Sequence, residues 1–405
     1  MIVSKLPDVT TTIFTVMSSL ANECNAINLA QGFPDYDAPA ELIEFMAAAA
    51  RDGHNQYAPM TGTVSLREAI VNKYSIVHRV QLDAAAQVTI TPGGTAALFT
   101  AIATTVRTGD EVIIFEPAYD SYAPAVLANG GIVRPSRLRA PYYTPDWDHV
   151  KSLISARTVM IIVNTPHNPT GSIWSDEDVN TLSQLCENTR IVVLSDEVYE
   201  LVTFDGRGYR SLIAHKGLAD RTFVVTSFGK TYHVTGWKVG ACVAAAALMS
   251  EFRKVHQFLS FSVHTPTQVA LAAMLSTPET YLGLSAFFQR KRDLFASLLE
   301  GSSWVVRRCS GSYFQLLGYD GITREEDVAF AHRLTREAKV ASIPLSPFYT
   351  QMQTSMRQDD LVRQDDLVLQ DDLVLRFCFA KKDETLRLAA ERLRGYDVHA
   401  NTLAD

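Results

Sequence analysis

Two lysines, Lys230 and Lys238, share the stretch SFGKTYHVTGWKVG, directly after the apolar run TFVVTSF. A lysine delivered by an apolar strand can act as a nucleophilic amine once its surroundings strip its charge. Polar residues follow other apolar runs in the same way. RIVVL leads into SDEVYE, which sets Asp196 and Tyr199 one helical turn apart. TVMIIVN leads into TPHNPTG, where Asn168 stands between two prolines. QVTIT leads into PGGTAA, whose paired glycines let backbone N–H groups approach an anion at a helix start. Taken singly, each has an ordinary explanation: a solvated lysine, a carboxylate bonded to backbone, an asparagine satisfying a turn. Together they supply an amine, a carboxylate, an amide, a phenol and a phosphate-ready helix start. Pyridoxal phosphate asks for that set, since it needs a Schiff-base lysine and an acidic partner for its pyridine nitrogen.

Such residues must be held by a common frame. From about residue 86 the pattern alternates strands and helices: QVTIT, EVIIF, TVMIIVN, RIVVL and RTFVVTSF as strands. TAALFTAIATTV and SDEDVNTLSQLCENT read as helices, the second capped by Ser175. Continuous apolar strands between helices predict a mostly parallel sheet covered on both faces, with ligands at its carboxyl edge. The last third, from AFFQRKRDLFASLLE through SYFQLL and VLRFCFA, reads as a smaller α+β unit. The expected division is an arm at 1–45 that also completes the small domain, a cofactor-binding domain at 46–280 and the small domain at 281–405. Before VLRFCFA, RQDDLV occurs twice and LQDDLV follows, from Arg357 to Val374. It reads as a tandem duplication in a surface loop. Its six-residue period preserves strand facing, so only the last copy need join a sheet.

Composition narrows the function. The net charge of -7 and the absence of a basic block argue against nucleic acid. No apolar run approaches membrane-spanning length, and the N-terminus lacks a signal-peptide core. Five scattered cysteines without a CxxC pair suggest neither disulfides nor zinc. The expectation is a soluble, reduced, cytoplasmic protein without a metal. The P-loop lysine pattern and the dinucleotide GxGxxG are both missing.

The chain also resembles the class I, fold type I pyridoxal-phosphate aminotransferases. Within them it is similar to the bacterial methionine aminotransferases and the kynurenine aminotransferase/cysteine-conjugate β-lyase branch. The likeness runs from KLPDVTTTIF through QGFPDY, NQYAPMTG, EPAYDSYAP, NTPHNPTG, SDEVYE, SFGKTYHVTGWKVG, KVHQFLSFSVHTP and IPLSPFY to LRFCFAKK. It implies that Lys230 forms the cofactor imine and shuttles the α-proton, and that Asp196 pairs with the pyridinium nitrogen. Asn168 and Tyr199 would bond the phenolic oxygen, and Tyr119 would stack on the ring. Gly94, Thr95 and Ala96, with Ser227 and Lys238, would hold the phosphate, joined by Tyr57 of a neighbouring subunit in a homodimer. Arg376, helped by Gly32 and Asn168, would clamp the substrate α-carboxylate, which suits a planar two-pronged guanidinium. Where this chain has Lys238, many relatives carry arginine.

The implied activity is ping-pong transamination between an amino acid and a 2-oxo acid. No second cation stands out for a side-chain carboxylate. Phe14, Tyr36, Tyr57 and Tyr119 would make an apolar or aromatic pocket, favouring methionine as donor. Phe14 occupies a position where eukaryotic kynurenine enzymes carry tryptophan. The alternatives are a kynurenine–oxoglutarate transaminase, a cysteine S-conjugate β-lyase and, remotely, a non-catalytic regulator that senses the cofactor.

Overall fold

The computed structural model describes residues 2–350 and 373–402. After the short β1 (Ile27–Asn28), seven strands build the central sheet. They are β2 (Val88–Thr91), β3 (Glu111–Glu116), β4 (Ile132–Arg137), β5 (Thr158–Asn164), β6 (Val192–Asp196), β7 (Thr222–Ser227) and β8 (Gly240–Ala244). Their spatial order is β2-β8-β7-β6-β5-β3-β4. Adjacent strands pair in parallel except β8, which is antiparallel to both β2 and β7. β4 and β8 escape the apolar-run criterion. β4 is only partly covered, and β8 is built largely from glycine and alanine.

The two-residue period of a strand explains why these runs are apolar throughout. In β5, Ile161 and Val163 enter one core, while Met160 and Ile162 enter the other. In β7 the same alternation sends Val224 one way and Phe223 and Val225 the other. Each fully buried aliphatic side chain contributes roughly 1.5–3 kcal/mol relative to exposure. Helices cover both faces. The helix Asp176–Cys186 starts at a capping box, in which Ser175 Oγ accepts from the Asp178 amide and Asp178 reaches back to the Ser175 amide.

A second sheet follows. β9 (Val305–Val306), β10 (Phe314–Gly318), β12 (Ile343–Pro344) and β13 (Val374–Cys378) run antiparallel in the order β12-β13-β10-β9. β1 pairs in parallel with β11 (Val340–Ala341), so the N-terminal segment is stitched to the C-terminal unit. Most of the QDDLV run lies outside the described residues. Its final Val374 opens β13, in which Arg376 pairs with Leu316 of β10 and Ile343 of β12.

Candidate functional site

The carboxyl ends of β2, β3, β5, β6 and β7, with the start of β8, meet at one edge of the central sheet. A cavity of about 570 Å³ opens there. It is lined by Lys230, Asp196, Tyr199, Asn168, Tyr119, Ser227, Lys238, Gly94, Thr95, Gly32, Phe14 and Arg376. Twelve residues singled out from the sequence thus surround one space. Ala96, Tyr57 and Tyr36 are not among its lining residues. Ala96 sits one place deeper in the first helical turn after β2. Tyr57 is 80% exposed on the surface. Tyr36 differs from its expected place in the pocket because its ring packs edge-on against His233 and Phe287, 4.9 and 5.7 Å away.

One end of the cavity is built by close backbone approach. The helix Gly94–Thr105 follows Gly93 without a side-chain cap, so its first N–H groups stay available at the positive end of the helix dipole. Gly93 has φ +87, and a Cβ there would sit 3.2 Å from Lys238 Nζ. A Cβ on Gly240 would meet the Gly93 carbonyl carbon and the Gly94 nitrogen, both at 2.9 Å. Lys238 itself takes a left-handed backbone, φ 53, a conformation enriched at functional turns. Ser227 ends β7 opposite Gly240, the first residue of β8.

Asp196 ends β6, 4% exposed. Its carboxylate accepts from Tyr122 Oη at 2.7 Å and from the Val198 amide at 3.3 Å. Burial pushes its pKa up to about 6 against those hydrogen bonds and the charge of Lys230. Lys230 moves the opposite way. Its pKa is pulled down to about 8 by burial, with the charges of Arg376 and Lys238 adding to the effect. Its Nζ donates to the Gly32 carbonyl at 3.3 Å.

That carbonyl also accepts from Tyr313 Oη at 2.6 Å. The Tyr313 and Tyr199 rings meet edge-on, 4.9 Å apart. Lys230 Nζ and Tyr313 Oη thus share one acceptor, the Gly32 carbonyl.

Arg376 is 1% exposed. Nη1 donates to Asn168 Oδ1 at 2.7 Å and Nη2 to the Ala30 carbonyl at 2.8 Å, while Nε is buried without a partner. Aromatic rings surround the guanidinium: Phe314, Phe14 and Phe348 have centroids 3.9, 5.0 and 5.4 Å from it. Phe14 therefore lines the cavity and also packs on the arginine. Burial lowers the Arg376 pKa to about 10, which leaves it cationic at neutral pH.

Three participants were not legible as site residues. Tyr122 could have been found, since EPAYDSY carries a second tyrosine one turn past Tyr119. Tyr313 and Phe314 carry no local signal, because SYFQLL reads simply as a strand. Among the described residues no cluster suited to a metal ion occurs, and no helix is long and apolar enough to cross a membrane.

Residues 25–393 match the family model of aminotransferase class I and II. The chain is 48% identical over 392 residues to the methionine aminotransferase of Escherichia coli, covering 96% of this chain and 97% of that one. It is 33% identical over 413 residues to kynurenine–oxoglutarate transaminase 3 of Rattus norvegicus, covering 95% and 88%. Its fold superposes on the crystal structure of an Escherichia coli protein with an identified methionine aminotransferase function. There the TM-score is 0.91 and the identity 47%, over 98% of this chain and 99% of that one.

Proposed function

The chain belongs to the class I and II aminotransferases, which are pyridoxal-phosphate enzymes, and on that premise we propose that it takes methionine as its preferred amino donor and a 2-oxo acid as acceptor. One observation carries the choice of donor. The cationic clamp at Arg376 is walled by Phe14, Phe314 and Phe348, so the space beside a bound α-carboxylate is apolar. The likeness to a methionine aminotransferase supports the same reading.

The residues present fit the cofactor. Asp196 is a buried carboxylate whose hydrogen-bond partners are neutral donors, which suits a protonated pyridine nitrogen. An uncapped helix start beside Lys238, in a cradle that a Cβ at Gly93 would crowd, suits a phosphate. When bound, pyridoxal phosphate supplies the electron sink for breaking the substrate Cα–H bond. Lys230 Nζ carries the proton away from Cα. Its depressed pKa makes the neutral amine accessible near neutral pH. Asp196 would hold a proton on the pyridine nitrogen, and Asn168 and Tyr199 would serve the phenolic oxygen. Tyr119 would cover the ring. Gly94, Thr95, Ala96, Ser227 and Lys238 would hold the phosphate. Arg376, with Gly32 and Asn168, would orient the α-carboxylate.

We infer further that the enzyme works as a homodimer whose Tyr57 reaches the neighbour's phosphate. Its exposure fits a residue that serves another subunit. Residues 46–280 form the cofactor-holding domain in this reading, with 1–45 and 281–405 forming the rest. All five cysteines are unpaired, which supports a cytoplasmic setting.

The test adds each amino acid singly to the holoenzyme and follows loss of the cofactor's visible band. Methionine should respond most strongly, with aromatic donors next. A response confined to aspartate and glutamate would sink the proposal. Kynurenine belongs in the same screen, because a relative at 33% identity is a kynurenine–oxoglutarate transaminase. Pyruvate released from a cysteine conjugate without an acceptor would reveal β-lyase activity.

A further inference from the structure

Lys381, the first of the two lysines that close LRFCFAKK, lies between β13 and the last helix and is 2% exposed. Among the described residues its ammonium forms no ion pair with a carboxylate. It donates instead to the Phe33 carbonyl at 2.8 Å and lies 4.6 Å from the centroid of the Phe33 ring. A buried cation without a carboxylate costs the fold stability, so its place calls for a reason other than packing. Phe33 precedes Pro34, which has no N–H, so that carbonyl is the only polar group of its peptide link. The bond belongs to a row. The Leu29 carbonyl accepts from the Cys378 amide at 2.7 Å, the Ala30 carbonyl from Arg376 Nη2 at 2.8 Å and the Gly32 carbonyl from Tyr313 Oη at 2.6 Å. The C-terminal unit thus grips the backbone from Leu29 to Phe33 almost residue by residue. Strand pairing of β1 with β11 fixes the start of the row. Past Gly32 the buried hold is Lys381, because the next contacts, from the Lys382 amide and Thr385 Oγ1 to the Asp35 carboxylate, are exposed.

We propose that Lys381 is a positioning residue for substrate binding: by holding the Phe33 carbonyl it keeps the Ala30–Gly32 backbone in place beside Arg376. The inference rests on the assignment of Arg376, with Gly32, to the α-carboxylate. Lys381 itself does not line the cavity. The guanidinium plane is set by two acceptors, Asn168 Oδ1 on Nη1 and the Ala30 carbonyl on Nη2. A backbone freed at Phe33 lets the Ala30 carbonyl turn, and the plane then tilts away from a two-pronged match to a carboxylate. Gly32 moves with it. Its Cα is pressed against Phe314, where a Cβ would sit 2.8 Å from Cζ, so a small shift of this backbone also reaches the ring that covers Arg376.

The test compares wild-type, Lys381→Met and Lys381→Arg holoenzymes. Methionine at 381 keeps an unbranched stem and removes the donor. KM for the substrate methionine should rise about tenfold, the scale of one lost charge-assisted hydrogen bond. The value of kcat per bound cofactor should change much less, since the carboxylate is held alike in the bound substrate and the transition state. Titration with 4-methylthiobutyrate, which is methionine without its amino group, gives a readout without turnover. Followed through the cofactor's visible band, it should weaken about tenfold in Lys381→Met. Lys381→Arg keeps a cationic donor and should recover most of both losses. Lys381→Leu carries the same expectation as Lys381→Met should that variant fail to fold. Partial misfolding lowers the amount of active enzyme and leaves both constants where they were, so a loss confined to yield or kcat overturns the positioning role, as do unchanged constants. Arg376→Lys in the same assays separates the two readings. If it weakens both constants while Lys381→Met does not, only the role of Lys381 falls. If neither variant weakens them, the assignment of Arg376 to the α-carboxylate falls as well.

Discussion

At the scale of single residues, the site depends on shifting charge between neighbours. Lys230 and Lys238 are of one type, yet burial pulls Lys230 down to about 8 while Lys238 stands exposed at the cavity rim. Only the neutral amine attacks a carbonyl, so uptake of fresh cofactor by the stripped enzyme should accelerate with rising pH through a midpoint near 8. A flat profile across that range would contradict the depressed pKa. Lys230→Ala should abolish turnover and prevent covalent trapping of the cofactor by borohydride. Tyr313 offers a finer test. Its hydroxyl and Lys230 Nζ share the Gly32 carbonyl. Tyr313→Phe leaves that acceptor to Lys230 alone, which favours the charged amine. The midpoint for cofactor uptake should then move to higher pH, and an unmoved midpoint would refute the shared acceptor. Lysine, carboxylate, amide and arginine were legible because each follows or lies in a run that can only be a strand. Tyr313 was not, because its partners Gly32 and Tyr199 are distant in sequence.

At the scale of elements, the turn after β6 is held from behind by a buried ionic cluster. Glu200 accepts from Lys73 Nζ, and from His78 Nε2 at 2.6 Å. The Ser211 amide donates to His78 Nδ1, which places the neutral imidazole's proton on Nε2. Burial pushes the Glu200 pKa up, but the Lys73 charge and the His78 hydrogen bond outweigh it and hold the carboxylate below its ordinary value. A folded pKa below the unfolded one adds stability that is present above the ordinary carboxylate value, about 4.3, and is lost as pH falls below it. Glu200→Gln strands Lys73 in the core and should destabilise by about 3–5 kcal/mol, read as a lower urea midpoint at neutral pH. Removing Oγ from the capping box by Ser175→Ala should lose about 1 kcal/mol of stability. Turnover should be unaffected, since that helix end lies away from the cavity lining. Elements with apolar runs or caps could be read from the sequence to within three residues. β8 could not, because glycine and alanine carry little periodic signal and its pairing is decided by the neighbours it lies between.

At the scale of the whole molecule, an exposed aromatic group marks the surface proposed to meet a second copy. Tyr57, Phe258 and Phe261 are 80%, 88% and 58% exposed, and the Tyr57 and Phe261 rings meet edge-on at 5.2 Å. Sizing the active holoenzyme should give a dimer, and Tyr57→Ala should weaken cofactor affinity severalfold. An active monomer would remove the basis for sharing Tyr57. The chain also spreads its tolerance to length changes unevenly. An even-numbered insertion, such as the six-residue period of the QDDLV copies, would keep Arg376 on the same face of β13. The loop from Phe228 to Val239 has no such freedom. It is closed by a hydrogen bond from the Phe228 amide to the Val239 carbonyl at 3.1 Å, and its ends continue into paired strands with Ser227 opposite Gly240. The sheet thereby works as a ruler: it fixes how far apart the two lysines stand, and so the length of molecule that can be gripped at both ends. One residue inserted there would recalibrate the ruler while leaving every side chain in the site intact.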